Sequence, residues 1–218
     1  MAASGRQRVV IAGGGIAGLE ALIALRDLAG DRVALILVAP DLEFTYKPFT
    51  VEEPFSSTLG ERRALAPIAE EFGATLVQEG VTAVDPAHRV VSMTNGSELA
   101  YDAAVICVGA RQVPAYEEAA TFRTSGEPLA MTDLLRRAAE TEPKRMAFVA
   151  SPGATWPLPL YELALMGKRR ALELGLRDLE CVLVTPEETP LIMFGRLASD
   201  AIAELLAARE IRAVTGRA

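Results

Sequence analysis

The sequence is short of several things, and each shortage removes a class of function. It has two cysteines, one histidine and one tryptophan in 218 residues. The cysteines, Cys107 and Cys181, are far apart, so no CxxC pair offers a thioredoxin-like redox centre or half of a zinc site. Both sit in apolar runs (AVICVG and LECVLV), which reads as buried strand with the thiol acting as a small hydrophobe. With a single histidine, His88 in a DPAHRV turn, no cluster of His, Cys and carboxylates has metal-ligand spacing. Positive charge is also scarce. Lys and Arg total 22 against 29 Asp and Glu, a formal charge of -7, which excludes the basic footprint that nucleic acid demands. No uninterrupted apolar run is long enough to span a membrane. The stretch from Val9 to Ala29 carries Gly13, Gly14, Gly15, Glu20, Arg26 and Asp27. Nothing requires an oxidising compartment, so the expected location is cytoplasmic.

What is present is an alternation of β-branched runs and helical periodicity. Residues 8–12 (RVVIA) read as a buried parallel strand, 16–29 as a helix, and 32–38 (RVALILV) as a second strand: a βαβ unit with the usual right-handed crossover. Residues 39–60 read as a long irregular loop and 62–73 as a short helix broken near Pro67. Residues 75–85 read as one bent strand or two short ones. Residues 89–94 and 97–102 form a hairpin whose Asn95-Gly96 pair suits a type I′ turn. Residues 103–109 are a third buried run that rejoins the parallel sheet. After a linker over 111–131, Thr132 or Asp133 is placed to cap a helix running to 141. A second series then follows, with strands at 145–151, 179–185 and 211–214 and helices at 159–175 and 194–210. The expected class is α/β: a Rossmann-like domain over 1–125 with a parallel sheet and a β-hairpin insertion, then an incomplete second Rossmann-like domain over 126–218. The second series holds few strands, so the chain reads as a fragment lacking its natural C-terminal part.

The chemistry-bearing motif is Gly13-Gly14-Gly15-Ile16-Ala17-Gly18, which fits G-x-G-x-x-G between a strand and a helix. Gly13 allows the tight turn, Gly15 lets a diphosphate approach the backbone, and Gly18 lets helix and strand pack closely. Amides at the helix N-terminus then face the anion. The acid that usually ends the second strand is absent. The strand runs out as Leu37-Val38-Ala39-Pro40, with Asp41 and Glu43 just beyond. The pairs Glu52-Glu53 and Glu117-Glu118 read as solvated charge.

The runs RVVIAGGGIAGLEALIAL, LVAPDLEFTYKPFTVEEPF, LAYDAAVICVGARQVP and LPLYELALMGKRRALELG with VLVTPEETPLIMFG resemble the FAD-dependent pyridine nucleotide-disulfide oxidoreductase-like family, and within it the sulfide:quinone oxidoreductase and type II NADH dehydrogenase group. The resemblance implies FAD on the first glycine loop, with Ala39 and Pro40 beside it. It also implies that Lys47 and Pro48 lie along the flavin, that Val81 sits near the adenine, and that Val108, Gly109 and Ala110 turn beside the cofactor. It implies a small-molecule electron donor, NAD(P)H or similar, and a quinone or similar acceptor. Peripheral membrane association is implied for a full-length form. The family's second glycine loop is replaced by Ala150-Ser151-Pro152-Gly153-Ala154-Thr155-Trp156-Pro157, in which prolines remove amide donors. The second half is therefore either an altered NAD(P)H site or else a scaffold or quinone-side wall, and neither cysteine stands in a loop suited to sulfide chemistry. The family's later FAD segment is also missing, so weak or absent turnover is expected of this chain. A non-catalytic nucleotide-binding module or sensor, and an NAD-dependent dehydrogenase, are the alternatives.

Overall fold

The computed structural model describes residues 5–56, 60–124, 129–154 and 156–216; Thr155 of the proline-rich turn, parts of the 111–131 linker and the last two residues lie outside them. The chain forms two compact units, Met1–Tyr46 with Glu61–Gln112, and Lys47–Gly60 with Val113–Ala218. The sequence reading divided the chain after residue 125. The compact units divide after Gln112, and residues 47–60 group with the second unit because Val51 is buried in that unit's core.

In the first unit, β1 (Gln7–Ala12) leads through a three-glycine turn into α1 (Ile16–Ala29), which crosses over to β2 (Val33–Val38). β1 and β2 pair in parallel, Gln7 opposite Val33 and Ala12 opposite Val38. Alternation along β1 sends Val9 and Ile11 to the α1 side, where Leu19 and Leu22 of the helix meet them with Leu35 and Leu37 of β2. Arg26 anchors the end of the helix, donating from Nε to the Phe72 carbonyl (2.7 Å) and from Nη1 to that of Gly30 (2.7 Å). Then come β3 (Glu43–Thr45) and, after a 3-10 segment over Lys47–Phe55 that belongs to the second unit, β4 (Arg62–Ala64), α2 (Leu65–Glu71) and β5 (Ala74–Val77). β3 and β4 pair antiparallel. β6 (Val81–Asp85), β7 (Val90–Met93) and β8 (Glu98–Ala100) form an antiparallel meander, and β9 (Ala103–Ile106) returns parallel to β1. The parallel sheet has the order β5-β2-β1-β9. Its face opposite α1 is closed by the meander, with Val10 and Val38 packed on Val91 and Met93.

In the second unit α3 (Met131–Ala139) precedes β10 (Arg145–Val149), α4 (Leu158–Glu173), β11 (Glu180–Val184), α5 (Arg196–Ala208) and β12 (Ile211–Val214). The three strands are parallel in the order β10-β11-β12. Phe148, Tyr161, Leu163, Cys181, Leu183, Leu206 and Ile211 belong to one core cluster.

Several local expectations change. Residues 62–64 are strand, and the helix starts only at Leu65; Pro67 then falls in its first turn, where a missing N–H costs nothing, so it breaks no helix. Of the two forms expected for 75–85, the chain takes two short strands, and they lie in different sheets. The Asn95-Gly96 turn is not type I′, because Gly96 alone of the pair has positive φ (+81°). Gly96 donates to the Met93 carbonyl (3.0 Å) and Met93 to that of Ser97 (2.9 Å), a type I turn closed by a glycine bulge. The run 103–109 is not fully buried, since β9 is the sheet's outer strand and Ile106 is half exposed. Cys107 lies just past that strand and is half-buried, whereas Cys181 is fully buried. α3 begins at Met131 with Ala130 as its N-cap, so neither Thr132 nor Asp133 caps it; Thr132 instead accepts from Arg170 Nε (3.2 Å). Glu53 is buried and accepts from the Gly60 amide (2.9 Å), so it is not solvated charge. Among the described residues no helix is long and apolar enough to cross a membrane.

Candidate functional site

The turn between β1 and α1 lies at the carboxyl end of the sheet. β2 flanks β1 on one side and β9 on the other. In doubly wound sheets this reversal of strand order opens the crevice that takes ligands. The Gly13 amide donates to the Val38 carbonyl (2.7 Å), which locks the turn to β2. Gly13 has φ +121°, and a Cβ there would stand 2.7 Å from the carbonyl carbon of Cys107 and 3.2 Å from the amide nitrogen of Val108. A Cβ on Gly18 would run into the Gly13 carbonyl oxygen. One on Gly14 would stand 2.6 Å from Leu65 Cδ1 and 3.0 Å from Ala39 Cβ. These three glycines are filled against by the protein itself, two of them by backbone that cannot yield.

Gly15 is different. It is extended (φ -83°, ψ -175°), it is the N-cap of α1, and a Cβ there would meet nothing within 4 Å. No side chain caps the helix, and no acidic residue stands in its first turn. Leu19 donates to the Gly15 carbonyl (3.0 Å), so the amides of Ile16, Ala17 and Gly18 precede the helical ladder. The positive end of the helix dipole is thus open, with no acidic residue in its own first turn. A diphosphate fits this chemistry: backbone donors, an uncovered approach at one glycine, and no carboxylate in the first turn of the helix.

The other expected residues divide. Ala39 is buried; its amide donates to Val77 (3.0 Å) and its methyl borders Gly14. Pro40 is exposed beside it. Val108, Gly109 and Ala110 form an exposed turn past β9, next to Gly13. Gly109 there has φ +72° with open space around it. Val81 lies opposite Met93 at the start of β6 and packs with Val10 and Val38, on the sheet face away from α1. Lys47 and Pro48 open the 3-10 segment of the second unit and are exposed; the Lys47 carbonyl accepts from Thr50 Oγ1 (2.7 Å). Leu65, which closes over Gly14, was not singled out in the sequence, because its neighbour is distant along the chain.

The second unit repeats the plan with other residues. The Ala150 amide donates to Val184 (2.9 Å), as Gly13 does to Val38. Just past β11, Glu187 stands where Asp41 stands past β2, three residues beyond the strand end in each unit. Its Oε2 accepts from Tyr161 Oη (2.6 Å) and Thr185 Oγ1 (3.0 Å). Burial, and next the bond to the Glu187 carboxylate, push the Tyr161 phenol well above the ordinary tyrosine range. On α4, burial and then the charge of Glu52 raise the Glu162 carboxyl. His88 sits in an exposed turn with Nδ1 2.7 Å from Asp85 Oδ2. Among the described residues no group of His, Cys, Asp and Glu has the makings of a metal site.

The family model for pyridine nucleotide-disulphide oxidoreductase matches residues 7–151. Among solved structures, the sulfide:quinone oxidoreductase of the hyperthermophilic bacterium Aquifex aeolicus superposes with a TM-score of 0.82 at 25% identity, covering 96% of this chain and 51% of that one. NDH2 from Plasmodium falciparum, in complex with NADH, gives 0.74 at 14% identity over 97% of this chain and 48% of that one. The ferredoxin reductase for the CYP199A2 system of Rhodopseudomonas palustris gives 0.66 at 17% identity, over 96% and 50%. The chain therefore spans about half the length of the solved structures it matches. No curated protein sequence matches it. With the family pattern extending over residues 7–151, most of the chain, this protein belongs to the FAD-dependent pyridine nucleotide-disulphide oxidoreductase family.

Proposed function

We propose that the first unit binds FAD through the Gly13-to-Gly18 turn and that the protein works as a flavin-dependent oxidoreductase. The carrying observation is Gly15, open to 4 Å at an uncapped helix N-terminus, beside three glycines that the fold has already filled. In this reading the amides of Gly15, Ile16 and Ala17 donate to the diphosphate. The Gly109 turn lets the cofactor approach the backbone past β9, Ala39 and Pro40 border the path at the end of β2, and Val81 lies on the adenine side. Bound FAD supplies two-electron transfer; the protein contributes binding, orientation and exclusion of water. Electrons pass from a two-electron donor to a quinone or similar acceptor, quinone being the acceptor named for the Aquifex relative.

Reconstitution tests this directly. Purified protein mixed with FAD and desalted should hold one flavin per chain, visible as absorption bands in the blue. Gly15→Val should weaken FAD binding at least about tenfold, equivalent to about 1.4 kcal/mol, with an unchanged circular dichroism spectrum. Protein that takes up no flavin, or a Gly15→Val variant that holds it as tightly, would contradict the assignment.

A further inference from the structure

The second unit has the strand–turn–helix–strand plan on which its family seats a pyridine nucleotide, yet three features of that plan are altered at the place where the ligand would lie. The first concerns amide donors. The turn from β10 to α4 runs over residues 150–157, against three residues in the first unit. Pro157 is the N-cap of α4 and Pro159 stands in its first turn, so neither offers an N–H. The Leu160 amide donates to the Pro157 carbonyl (2.9 Å). The positive end of this helix thus keeps the Leu158 amide where α1 keeps a row of them, which is too few to cradle a diphosphate.

The second is the carboxylate. A dinucleotide held in this fold gives its adenosine ribose to an acid at the end of the second strand. Glu187 is the acid nearest to the end of β11, three residues beyond it, but its Oε2 is engaged by two hydroxyls, Tyr161 Oη and Thr185 Oγ1, each from a fully buried residue. Charge-assisted hydrogen bonds of this kind are among the stronger ones, and giving them up would leave buried hydroxyls unpaired. The third is steric. Trp156, from the connection after β10, and Phe194, from the connection after β11, meet edge to face with centroids 5.3 Å apart. The pair bridges the two connections that leave the carboxyl ends of adjacent strands, the gap that a dinucleotide would have to cross.

We infer that the second unit binds no pyridine dinucleotide: Glu187 serves as a positioning residue that ties Tyr161 and Thr185 together, and the reductant of the proposed reaction is not a dinucleotide seated on this half. The inference rests on the flavin reading only for the word reductant, so the two are tested separately. Trp156 is the protein's single tryptophan and stands at the contested place, so its fluorescence reports on NADH and NADPH. Titration of the flavin-free chain to about 1 mM, a range that covers even weak specific binding, should give no saturable change beyond the absorbance of the nucleotide. Equilibrium dialysis with ADP-ribose supplies a second measurement. A saturable signal that persists in Gly15→Val and is weakened in Glu187→Gln, which keeps the hydrogen-bonding shape, would overturn the inference. A signal abolished by Gly15→Val would place the nucleotide on the first unit, supporting the inference while counting against the flavin reading. Failure to take up FAD, with no NADH signal, would sink the flavin reading alone.

Discussion

The two halves of this protein solve the same local problem, a strand that must turn into a helix, in opposite ways. The first does it in three glycines, and the close packing occurs at the turn itself: Gly18, third residue of α1, lies against the Gly13 carbonyl. The second takes eight residues, includes prolines and a tryptophan, and packs closely only further along. There Gly167, tenth residue of α4, admits the ring of Phe148, to which a Cβ would stand 2.7 Å. In the first case backbone meets backbone, and the amides stay bare. In the second, side chains do the filling, and Pro157 and Pro159 remove two amide donors at the start of α4. The same topology therefore leaves an open glycine at the helix N-terminus in one half and a proline-bearing turn with the Trp156–Phe194 contact in the other.

The largest expected effect that would break this contrast lies in the glycines. Gly18→Ala should destabilise the protein by about 3 kcal/mol, the upper part of the usual range for overpacking, because its new methyl meets a backbone carbonyl that cannot move aside. Gly153→Ala, at a position with open space and no positive φ, should change stability by less than about 0.5 kcal/mol. Urea denaturation of both variants checks the pair; equal costs would remove the distinction between the turns. Next in size is Tyr161→Phe, which takes one donor from the Glu187 carboxylate and should cost roughly 1.5–3 kcal/mol. Loss of no stability there would mean that the Tyr161–Glu187 bond does not hold the second unit's carboxyl end.

The smallest effect is a pH dependence. Glu162 has a raised pKa, from burial and then from Glu52, so the folded state favours its protonated form. For a raised carboxyl the stabilising contribution is present below the unfolded pKa and is lost as pH rises through the folded one. Glu162→Gln should therefore remove part of the decline in stability between the ordinary carboxylate range and neutrality, leaving the variant relatively more stable at pH 7. Denaturation midpoints at acid and neutral pH measure it; parallel curves for parent and variant would show that Glu162 is not held apart from solvent.

Much of the architecture was legible in the order of residues. The β-branched run 8–12, the glycine turn and the periodicity of Leu19 and Leu22 fix a βαβ unit because strand and helix periods differ and each buries one pattern only. The second series was legible for the same reason. Three things were not. The pairing of residues 62–64 with 43–45 depends on a partner some twenty residues away, and three charged or small residues carry no strand pattern of their own. The attachment of residues 47–60 to the second unit depends on where Val51 finds a core. The exposure of β9 follows from its being the outer strand, a matter of sheet order and not of composition.

The candidate site divides along the same line. By itself, the sequence determined that a glycine turn joins β1 to α1 and that proline crowds the corresponding turn of the second half, since both are local facts about which residues have a Cβ or an N–H. Only the tertiary structure decided that Gly13, Gly14 and Gly18 are consumed by packing while Gly15 faces open space, and that Glu187 is occupied by Tyr161 and Thr185. Those outcomes depend on which distant atoms, such as the Cys107 carbonyl, Leu65 or a buried phenol, arrive at the same point, and no local pattern encodes that arrival.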